Sequence, residues 1–193
     1  MSFVKLTEII GFAGFIIWAM LERGFFLSGR HQAEETNREQ GSFWLISIFW
    51  YVGLIYAILD AWSLGWTTFD AVLWPLRILG ILLTGFGLVF RFWARRALGK
   101  QYSVHVATSE RHELVTKGIY RLVRHPAYLG LLCLFLGIPL CEGSWAGLLV
   151  ALFGGIPVVL YRISIEEKLL AEWFGEQYRD YEKQTYRLIP YIW

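Results

Sequence analysis

The stretch Gly118-Ile119-Tyr120-Arg121-Leu122-Val123-Arg124-His125-Pro126-Ala127-Tyr128-Leu129-Gly130 stands where a polar segment of the chain enters a hydrophobic one. Proline is favoured in the first turn of a helix, and the residue before a proline is pushed into an extended conformation. The stretch therefore predicts a helix that begins at Pro126, with His125 at its mouth. Because polar side chains are costly to keep at a membrane boundary, they indicate a functional site.

The composition around this stretch is that of a membrane-embedded protein. The 193 residues are 56% hydrophobic and only 18% charged, whereas soluble domains carry about a quarter charged residues. This length predicts one integral membrane unit, residues 1–193, in which 1–98 supply three helices and 99–193 the functional region. A net charge of +2 without a basic run argues against nucleic acid as a partner.

Five apolar stretches predict an all-α, polytopic fold with about five transmembrane helices. They are approximately Phe3–Phe26, Phe43–Leu64, Ala71–Leu98, Pro126–Cys141 and Ser144–Ile165. The first three and the fifth reach the roughly 20 residues that a spanning helix needs. The fourth is shorter, so it either thins the bilayer or forms a re-entrant hairpin with the fifth through Glu142-Gly143. Pro75 and Arg77 indicate that the third helix starts at the membrane interface.

The basic residues predict the orientation of these helices. Sixteen of the eighteen lysines and arginines lie in or beside the first connection, the third connection and the C-terminal segment, and the second and fourth connections have none. Because cytoplasmic loops are enriched in basic residues, the pattern predicts a cytoplasmic C-terminus. Gly99–His125 and Glu166–Trp193 then share the cytoplasmic face. A binding region for a soluble cosubstrate is expected there, between the last helices and the C-terminal helix.

Two groups of polar residues are candidates for that region. The first consists of Tyr120, Arg124, His125 and Tyr128. It surrounds the predicted start of the fourth helix, whose unpaired N–H groups favour an anionic ligand. Tyr128 is placed to pack against an adenine or to donate a hydrogen bond. The alternative for this group is an aromatic belt with an interfacial histidine.

The second group follows the fifth apolar stretch. Arg162 and Glu166 are four residues apart and share one helix face, whereas Glu167 lies about 100° around the helix from Glu166. A planar guanidinium suits a substrate carboxylate, which makes Arg162 the candidate catalytic residue. One glutamate is expected to hold a ribose or an ammonium group while the other caps a polar network. The alternative is an ordinary ion pair on the helix surface.

Two further patterns concern helix packing. Leu169 to Tyr181 places apolar residues at helical spacing among charged ones. It predicts one amphipathic helix, packed on the membrane surface or on the core. Small residues in the third apolar stretch, at Gly80 and Thr84 and in Gly85-Phe86-Gly87, predict close approach of a neighbouring helix.

Other candidate groups carry no predicted chemistry. Asp60 and Asp70 mark the ends of the second connection and are expected to be solvated. Cys133 and Cys141 lie in apolar surroundings outside any CxxC pattern, which predicts inert thiols. His31 lies near glutamates without the spacing of metal ligands, so no metal is expected.

The motifs of the second half of the chain resemble those of the isoprenylcysteine carboxyl methyltransferase family, and the five-helix layout is similar to its prokaryotic branch. The resemblance runs through His112-Glu113-Leu114-Val115-Thr116, Gly118-Ile119-Tyr120, Arg124-His125-Pro126-Ala127-Tyr128-Leu129-Gly130, Glu166-Glu167, Phe174-Gly175-Glu176-Gln177-Tyr178 and Arg187-Leu188-Ile189-Pro190. It implies an integral membrane enzyme that uses S-adenosyl-L-methionine and releases S-adenosyl-L-homocysteine. The implied acceptor is a lipophilic carboxylate that enters from the lipid bilayer.

The resemblance also implies site residues. The expected cofactor-binding residues are His105, His112, Leu114, Val115, Tyr120, His125, Pro126, Ala127, Tyr128, Glu166 and Glu167, the last as a supporting acid. Arg162 matches the arginine that lies next to the substrate carboxyl. His105 stands where eukaryotic members have a glutamine, and Ile163-Ser164-Ile165 replaces a longer acidic run.

Three other functions fit the same residues. One is a phospholipid or amine N-methyltransferase of the same membrane superfamily. Another is an NADPH-dependent membrane reductase, since sterol reductases have a similar C-terminal arrangement. The third is a non-enzymatic membrane scaffold, in which the boundary arginine, histidine and tyrosine residues only anchor helices. Stability of the methylated product to mild base separates an amine from a carboxylate acceptor, and cofactor choice separates a methyltransferase from a reductase. A scaffold would bind neither cofactor.

Overall fold

The described part of this protein is built from helices joined by short turns. A computed structural model describes residues 2–29, 42–69, 73–99 and 114–191. The α-helices in these ranges are α1 (Phe3–Gly29), α2 (Ser42–Leu59), α3 (Trp74–Leu98), α4 (Pro126–Glu142), α5 (Trp145–Val150), α6 (Ile156–Phe174) and α7 (Glu176–Lys183). The shorter elements are π-helical turns over Asp60–Leu64 and Ala151–Gly155 and a 3-10 turn over Gly118–Arg121.

Four helical stretches are long and apolar enough to cross a membrane. They are Phe3–Gly24, Leu45–Leu64, Trp74–Leu98 and Trp145–Phe174, and the apolar helix Pro126–Glu142 is shorter. These helices confirm the predicted all-α, polytopic fold. A helix suits lipid because it satisfies its backbone hydrogen bonds internally. α4 begins at Pro126 as predicted, and His125 before it is non-helical, with φ −122° and ψ 56°.

The prediction of one amphipathic helix over Leu169 to Tyr181 is wrong. α6 continues the fifth apolar stretch as far as Phe174, and Gly175, with φ +53°, separates it from α7. Glycine adopts a positive φ at little cost because it has no Cβ atom, so the chain turns there although the apolar pattern continues. Tyr178 and Tyr181 are buried, so α7 packs on the core.

α3 and α4 make the most extensive contact between described helices, along a seam of small residues. A Cβ atom on Gly87 would lie 2.8 Å from the carbonyl oxygen of Gly130, and one on Gly137 would lie 2.7 Å from the amide nitrogen of Thr84. The two backbones therefore approach more closely than larger side chains allow. The close packing predicted for this stretch is confirmed, except at Gly85, where an added Cβ would meet nothing within 4 Å.

Aromatic rings fill the space between α1, α2 and α4. The rings of Trp18 and Trp50 have centroids 4.4 Å apart, and Phe135 packs edge-on against Trp50 at 4.4 Å. Leu131 and Ile163 belong to the same buried cluster. Because aromatic side chains bury large apolar areas, this cluster holds the N-terminal helices against α4 and α6.

The end of the bundle where α2 and α4 finish contains buried polar groups. The Asp60 carboxylate is fully buried and accepts hydrogen bonds from the amide of Trp66 (2.7 Å) and from the amide and hydroxyl of Thr67 (3.0 and 2.5 Å). The prediction that Asp60 is solvated is therefore wrong, because its carboxylate satisfies the donors of the turn that follows α2. Asp70 and His31 lie outside the described residues.

Arg77 is buried at the same end, with only 2% of the residue exposed. Its guanidinium donates to the hydroxyl of Thr7 on α1 (2.9 Å) and to the carbonyl of Cys141 on α4 (2.8 Å). α3 does begin at Trp74 with Pro75 in its first turn. Arg77, however, links three helices instead of marking an interface with water.

Candidate active site

The candidate site lies at the other end of the bundle, where α4 begins and the C-terminal segment returns to it. The amide of Arg124 donates to the carbonyl of Tyr186 (2.8 Å), and the amide of Tyr186 donates to the carbonyl of Leu122 (2.9 Å). The amide of His125 donates to the carbonyl of Arg187 (3.2 Å). This short parallel pairing places the residues after α7 beside the start of α4.

The carboxylate of Glu167 on α6 is the centre of a polar network at this point. Its Oε1 accepts a hydrogen bond from Nε of Arg124 at 3.1 Å and lies 3.2 Å from Nε2 of His125. Its Oε2 lies 2.6 Å from Nη2 of Arg187. Only 12% of the Glu167 side chain is exposed. Charge-assisted contacts from these partners fix the carboxylate, so Glu167 is the glutamate that caps a network.

Arg162 and Tyr128 form the second part of the site, across α6 and α4. Nε of Arg162 donates to the hydroxyl oxygen of Tyr128 at 2.7 Å. Arg162 is 4% exposed although it lies within the apolar span Trp145–Phe174. The ring of Tyr128 has its centroid 5.8 Å from that of His125, which connects this contact to the Glu167 network. Glu166 follows Arg162 by one helical turn and is half-buried.

Tyr120 fastens the 3-10 turn to the surrounding helices and is buried. Its hydroxyl donates to the carbonyl of Ala94 on α3 (3.3 Å), and its own carbonyl accepts a hydrogen bond from the hydroxyl of Tyr181 on α7 (2.6 Å). Burial raises the pKa of Tyr181 to about 12, so its hydroxyl remains a donor at neutral pH. These bonds hold α7 against the segment that precedes α4.

Most of the predicted site residues lie at this end of the bundle. They are Tyr120, His125, Pro126, Ala127, Tyr128, Arg162, Glu166 and Glu167. Leu114 and Val115 are half-buried in the segment that leads to the 3-10 turn, and His105 and His112 lie outside the described residues. Within the described ranges, no group of three or more His, Cys, Asp or Glu side chains is arranged to hold a metal ion.

Two arginine contacts were missed from the sequence. Arg187 pairs with Glu167, and Arg91 of α3 donates from Nη1 to the carbonyl of Ala127 in the first turn of α4 (2.7 Å). The sequence feature that pointed to a role for Arg187 was its place in the motif Arg187-Leu188-Ile189-Pro190. No local pattern pointed to Arg91, because its partners lie on other helices.

The family model described as phospholipid methyltransferase matches residues 76–177 of this chain. The matched region runs from α3 into α7 and contains the start of α4, Arg162 and Glu167. The chain belongs to this family of membrane methyltransferases.

Relatives in three eukaryotes share the name protein-S-isoprenylcysteine O-methyltransferase. That of Schizosaccharomyces pombe is 29% identical over an alignment of 209 positions, which covers 96% of this chain and 84% of the relative. That of Homo sapiens is 30% identical over an alignment of 141 positions, which covers 65% of this chain and 47% of the relative. That of Saccharomyces cerevisiae is 33% identical over 117 residues, or 60% and 49%. The matches thus span about half the length of the human and budding-yeast relatives.

A solved structure has the same fold. It is that of a eukaryotic intramembrane Ras methyltransferase, an isoprenylcysteine carboxyl methyltransferase, with a TM-score of 0.66 and 25% sequence identity. The similarity covers 96% of this chain and 68% of that chain. The helical membrane architecture is therefore shared over nearly all of the present chain. The family model, the named relatives and this structure together confirm the isoprenylcysteine carboxyl methyltransferase family that the sequence motifs predicted.

Proposed function

We propose that this protein is an S-adenosyl-L-methionine-dependent methyltransferase that esterifies the carboxylate of a lipophilic, isoprenylcysteine-like acceptor in the membrane. The names of the relatives support this reaction, and one structural observation carries it. Arg162 is buried within an apolar span, with its Nε bonded to the hydroxyl of Tyr128. A planar guanidinium in such a position suits the carboxylate of an acceptor that arrives through the lipid.

The residues around the start of α4 fit S-adenosyl-L-methionine. The half-buried ring of Tyr128, beside that of His125, is placed to pack against an adenine. The half-buried carboxylate of Glu166, which contacts the Tyr128 hydroxyl, is placed to accept hydrogen bonds from ribose hydroxyls or an ammonium group. Glu167 is engaged with Arg124, His125 and Arg187, so its role is to position His125. When bound, S-adenosyl-L-methionine supplies an electrophilic methyl group, whose transfer to a carboxylate neutralises both charges without a proton transfer.

The chain itself then has to orient the acceptor and exclude water. Arg162 holds the acceptor carboxylate in place, and Tyr128 fixes the guanidinium through its hydroxyl. The buried cluster that includes Leu131 and Ile163 keeps water away from this part of the bundle. Orientation of reacting groups can lower a barrier by several kcal/mol, up to roughly 7–11 kcal/mol in ideal cases. An ionised carboxylate is already a nucleophile, so no side chain is required as a general base.

In this proposal the site faces the cytoplasm. The lysines and arginines are concentrated in the first and third connections and in the C-terminal segment, as expected for the cytoplasmic side. The cofactor then arrives from the aqueous phase and the acceptor from the bilayer. Separate routes of this kind suit one soluble and one lipid-borne substrate.

An amine acceptor is the second candidate, because the matching family model is that of phospholipid methyltransferases. The two reactions give products that differ in chemical stability. A methyl ester is cleaved by mild base and releases methanol, whereas a methylated amine is stable. The product therefore reports the class of acceptor directly.

The experiment combines binding and transfer. Detergent-purified protein is titrated calorimetrically with S-adenosyl-L-homocysteine, and with NADPH in parallel. Labelled methyl transfer is then measured to a prenylated cysteine with a free carboxylate, and its carboxamide serves as the matched control. Binding of S-adenosyl-L-homocysteine and a base-labile product from the free acid alone are expected. A base-stable product would favour methylation of an amine. Binding of NADPH alone would favour a reductase, and binding of neither NADPH nor S-adenosyl-L-homocysteine would favour a scaffold.

A further inference from the structure

Arg91 joins three helices at the edge of the candidate site. Its Nη1 donates to the carbonyl of Ala127, in the first turn of α4, at 2.7 Å. Its Nε donates to Oε1 of Glu22 on α1 at 2.6 Å. The other oxygen of Glu22 lies 2.5 Å from Nη2 of Arg95, one turn further along α3. Glu22 thus anchors the arginine that holds the start of α4.

The position of Arg91 depends on the close packing of α3 against α4. A Cβ atom on Gly130 would lie 2.8 Å from both the amide nitrogen and the Cβ of Arg91. The absence of a side chain at Gly130 lets the stem of Arg91 cross α4 and reach back to Ala127. Only 12% of the Arg91 side chain and 20% of the Glu22 side chain are exposed, so water competes little with these bonds.

We infer that Arg91, held by Glu22, is a positioning residue that sets the affinity for S-adenosyl-L-methionine. It acts through Ala127, because the turn that contains Ala127 also carries His125 and Tyr128. This inference rests on the proposed function, in which that turn holds the cofactor. Arg162 stands on α6 and contacts this turn through the hydroxyl of Tyr128, so the KM for the acceptor is expected to change less than the affinity for the cofactor.

The test compares variants of the 193-residue chain in detergent. Arg91→Met removes both hydrogen bonds, and the dissociation constant of S-adenosyl-L-homocysteine is expected to rise about ten-fold, within the range for a charge-assisted hydrogen bond. The KM for a prenylated cysteine at saturating S-adenosyl-L-methionine should stay within about two-fold of the wild type. A merely structural role would lower the folded fraction and leave the dissociation constant of the folded protein unchanged.

Two further variants sharpen the result. Glu22→Gln keeps the shape of the anchor and is expected to weaken S-adenosyl-L-homocysteine binding less than Arg91→Met. The double variant should bind no more weakly than Arg91→Met alone, because both changes act on one pair. Arg96→Met is the matched control on the same helix, since Arg96 is exposed, and it should bind like the wild type. If Arg91→Met does not fold, the dissociation constant of S-adenosyl-L-homocysteine for Glu22→Gln tests the inference instead.

The outcomes separate this inference from the proposed function. If the wild type and Arg96→Met do not bind S-adenosyl-L-homocysteine, the proposed function fails and the inference fails with it. If the wild type binds and both Arg91→Met and Glu22→Gln bind equally tightly, only the inference is overturned. A raised dissociation constant with an unchanged acceptor KM supports it.

Discussion

Adjacent glutamates on α6 have different surroundings because successive helical residues point about 100° apart. Glu167 faces the cationic partners Arg124 and Arg187 and the ring of His125. Glu166 shares its helix face with Arg162, as expected for residues one turn apart. Glu167 is therefore committed to holding the site together, and Glu166, which contacts the Tyr128 hydroxyl, is the carboxylate that binds the cofactor in the proposed reaction.

Substitution of these two glutamates should separate stability from binding. Glu167→Gln removes the charge that three partners contact and is expected to destabilise the protein by about 1.5–3 kcal/mol, the range for hydrogen bonds to charged groups. Glu166→Gln should keep the thermal midpoint and weaken S-adenosyl-L-homocysteine binding. Thermal denaturation and calorimetry measure the two effects. A Glu167→Gln protein as stable as the wild type would contradict the role assigned to that carboxylate.

Arg162 should affect turnover more than cofactor binding. Arg162→Met keeps a long side chain but removes the guanidinium that orients the acceptor. Methyl transfer is expected to fall at least about ten-fold, equivalent to about 1.4 kcal/mol of transition-state stabilisation, while S-adenosyl-L-homocysteine still binds. Arg162→Lys keeps the charge without the planar fork, so its rate of methyl transfer should lie between those of the wild type and Arg162→Met. Full turnover by Arg162→Met would exclude this role.

At the scale of elements, the contact between α3 and α4 positions the site. The seam of glycines brings α3 close enough for Arg91 to reach Ala127. The C-terminal segment reaches the same region through the pairing of Val123 with Tyr186. The start of α4 is thus held from two sides, by an earlier helix and by a later segment.

Two glycines on α3 provide a matched test of this seam. Gly87→Ala would place a Cβ 2.8 Å from the carbonyl oxygen of Gly130, and overpacking of this kind typically costs about 1–3 kcal/mol. Gly85→Ala meets open space and should leave stability unchanged or raise it, since alanine favours helix. Thermal denaturation in detergent compares the two. Equal midpoints would show that the helices do not depend on this close approach.

Over the whole molecule, buried polar groups gather at the two ends of an apolar bundle. Asp60 and Arg77 bond to turns and helix ends on one side, and Glu22, Arg162 and Glu167 lie on the other. The apolar faces of the spans lie between them. Both networks satisfy groups that lipid cannot solvate, but only the second contains residues of the motifs around Arg124-His125-Pro126 and Glu166-Glu167.

Chemical labelling tests the proposed orientation. Lys183→Cys on α7 and Trp66→Cys after α2 replace exposed residues at opposite ends of the bundle. A membrane-impermeant thiol reagent should label Lys183→Cys only from the cytoplasmic side and Trp66→Cys only from the other side. Cys133 and Cys141 are replaced by serine in both variants, so that the reagent labels only the introduced cysteine. Labelling of both positions from one side would contradict the proposed topology.

Most features that could be predicted from the sequence are local ones. The apolar spans, the helix start at Pro126 and the small-residue seam follow from hydrophobic run length, proline geometry and side-chain size. The break at Gly175 was missed, because the apolar pattern continues across it while the backbone conformation changes. Asp60 was misjudged, because its partners come from the turn that follows it and their arrangement has no periodic signal.

The sequence by itself determined a helical membrane protein with polar chemistry at the mouth of its fourth helix, since these properties depend on residues that are near one another in the chain. Tertiary structure alone decided that Glu167 caps the network, that Arg187 completes it and that Arg91 holds Ala127. These contacts join different helices and segments, and their geometry depends on how closely the helices pack. Such distances arise only when the whole bundle is assembled.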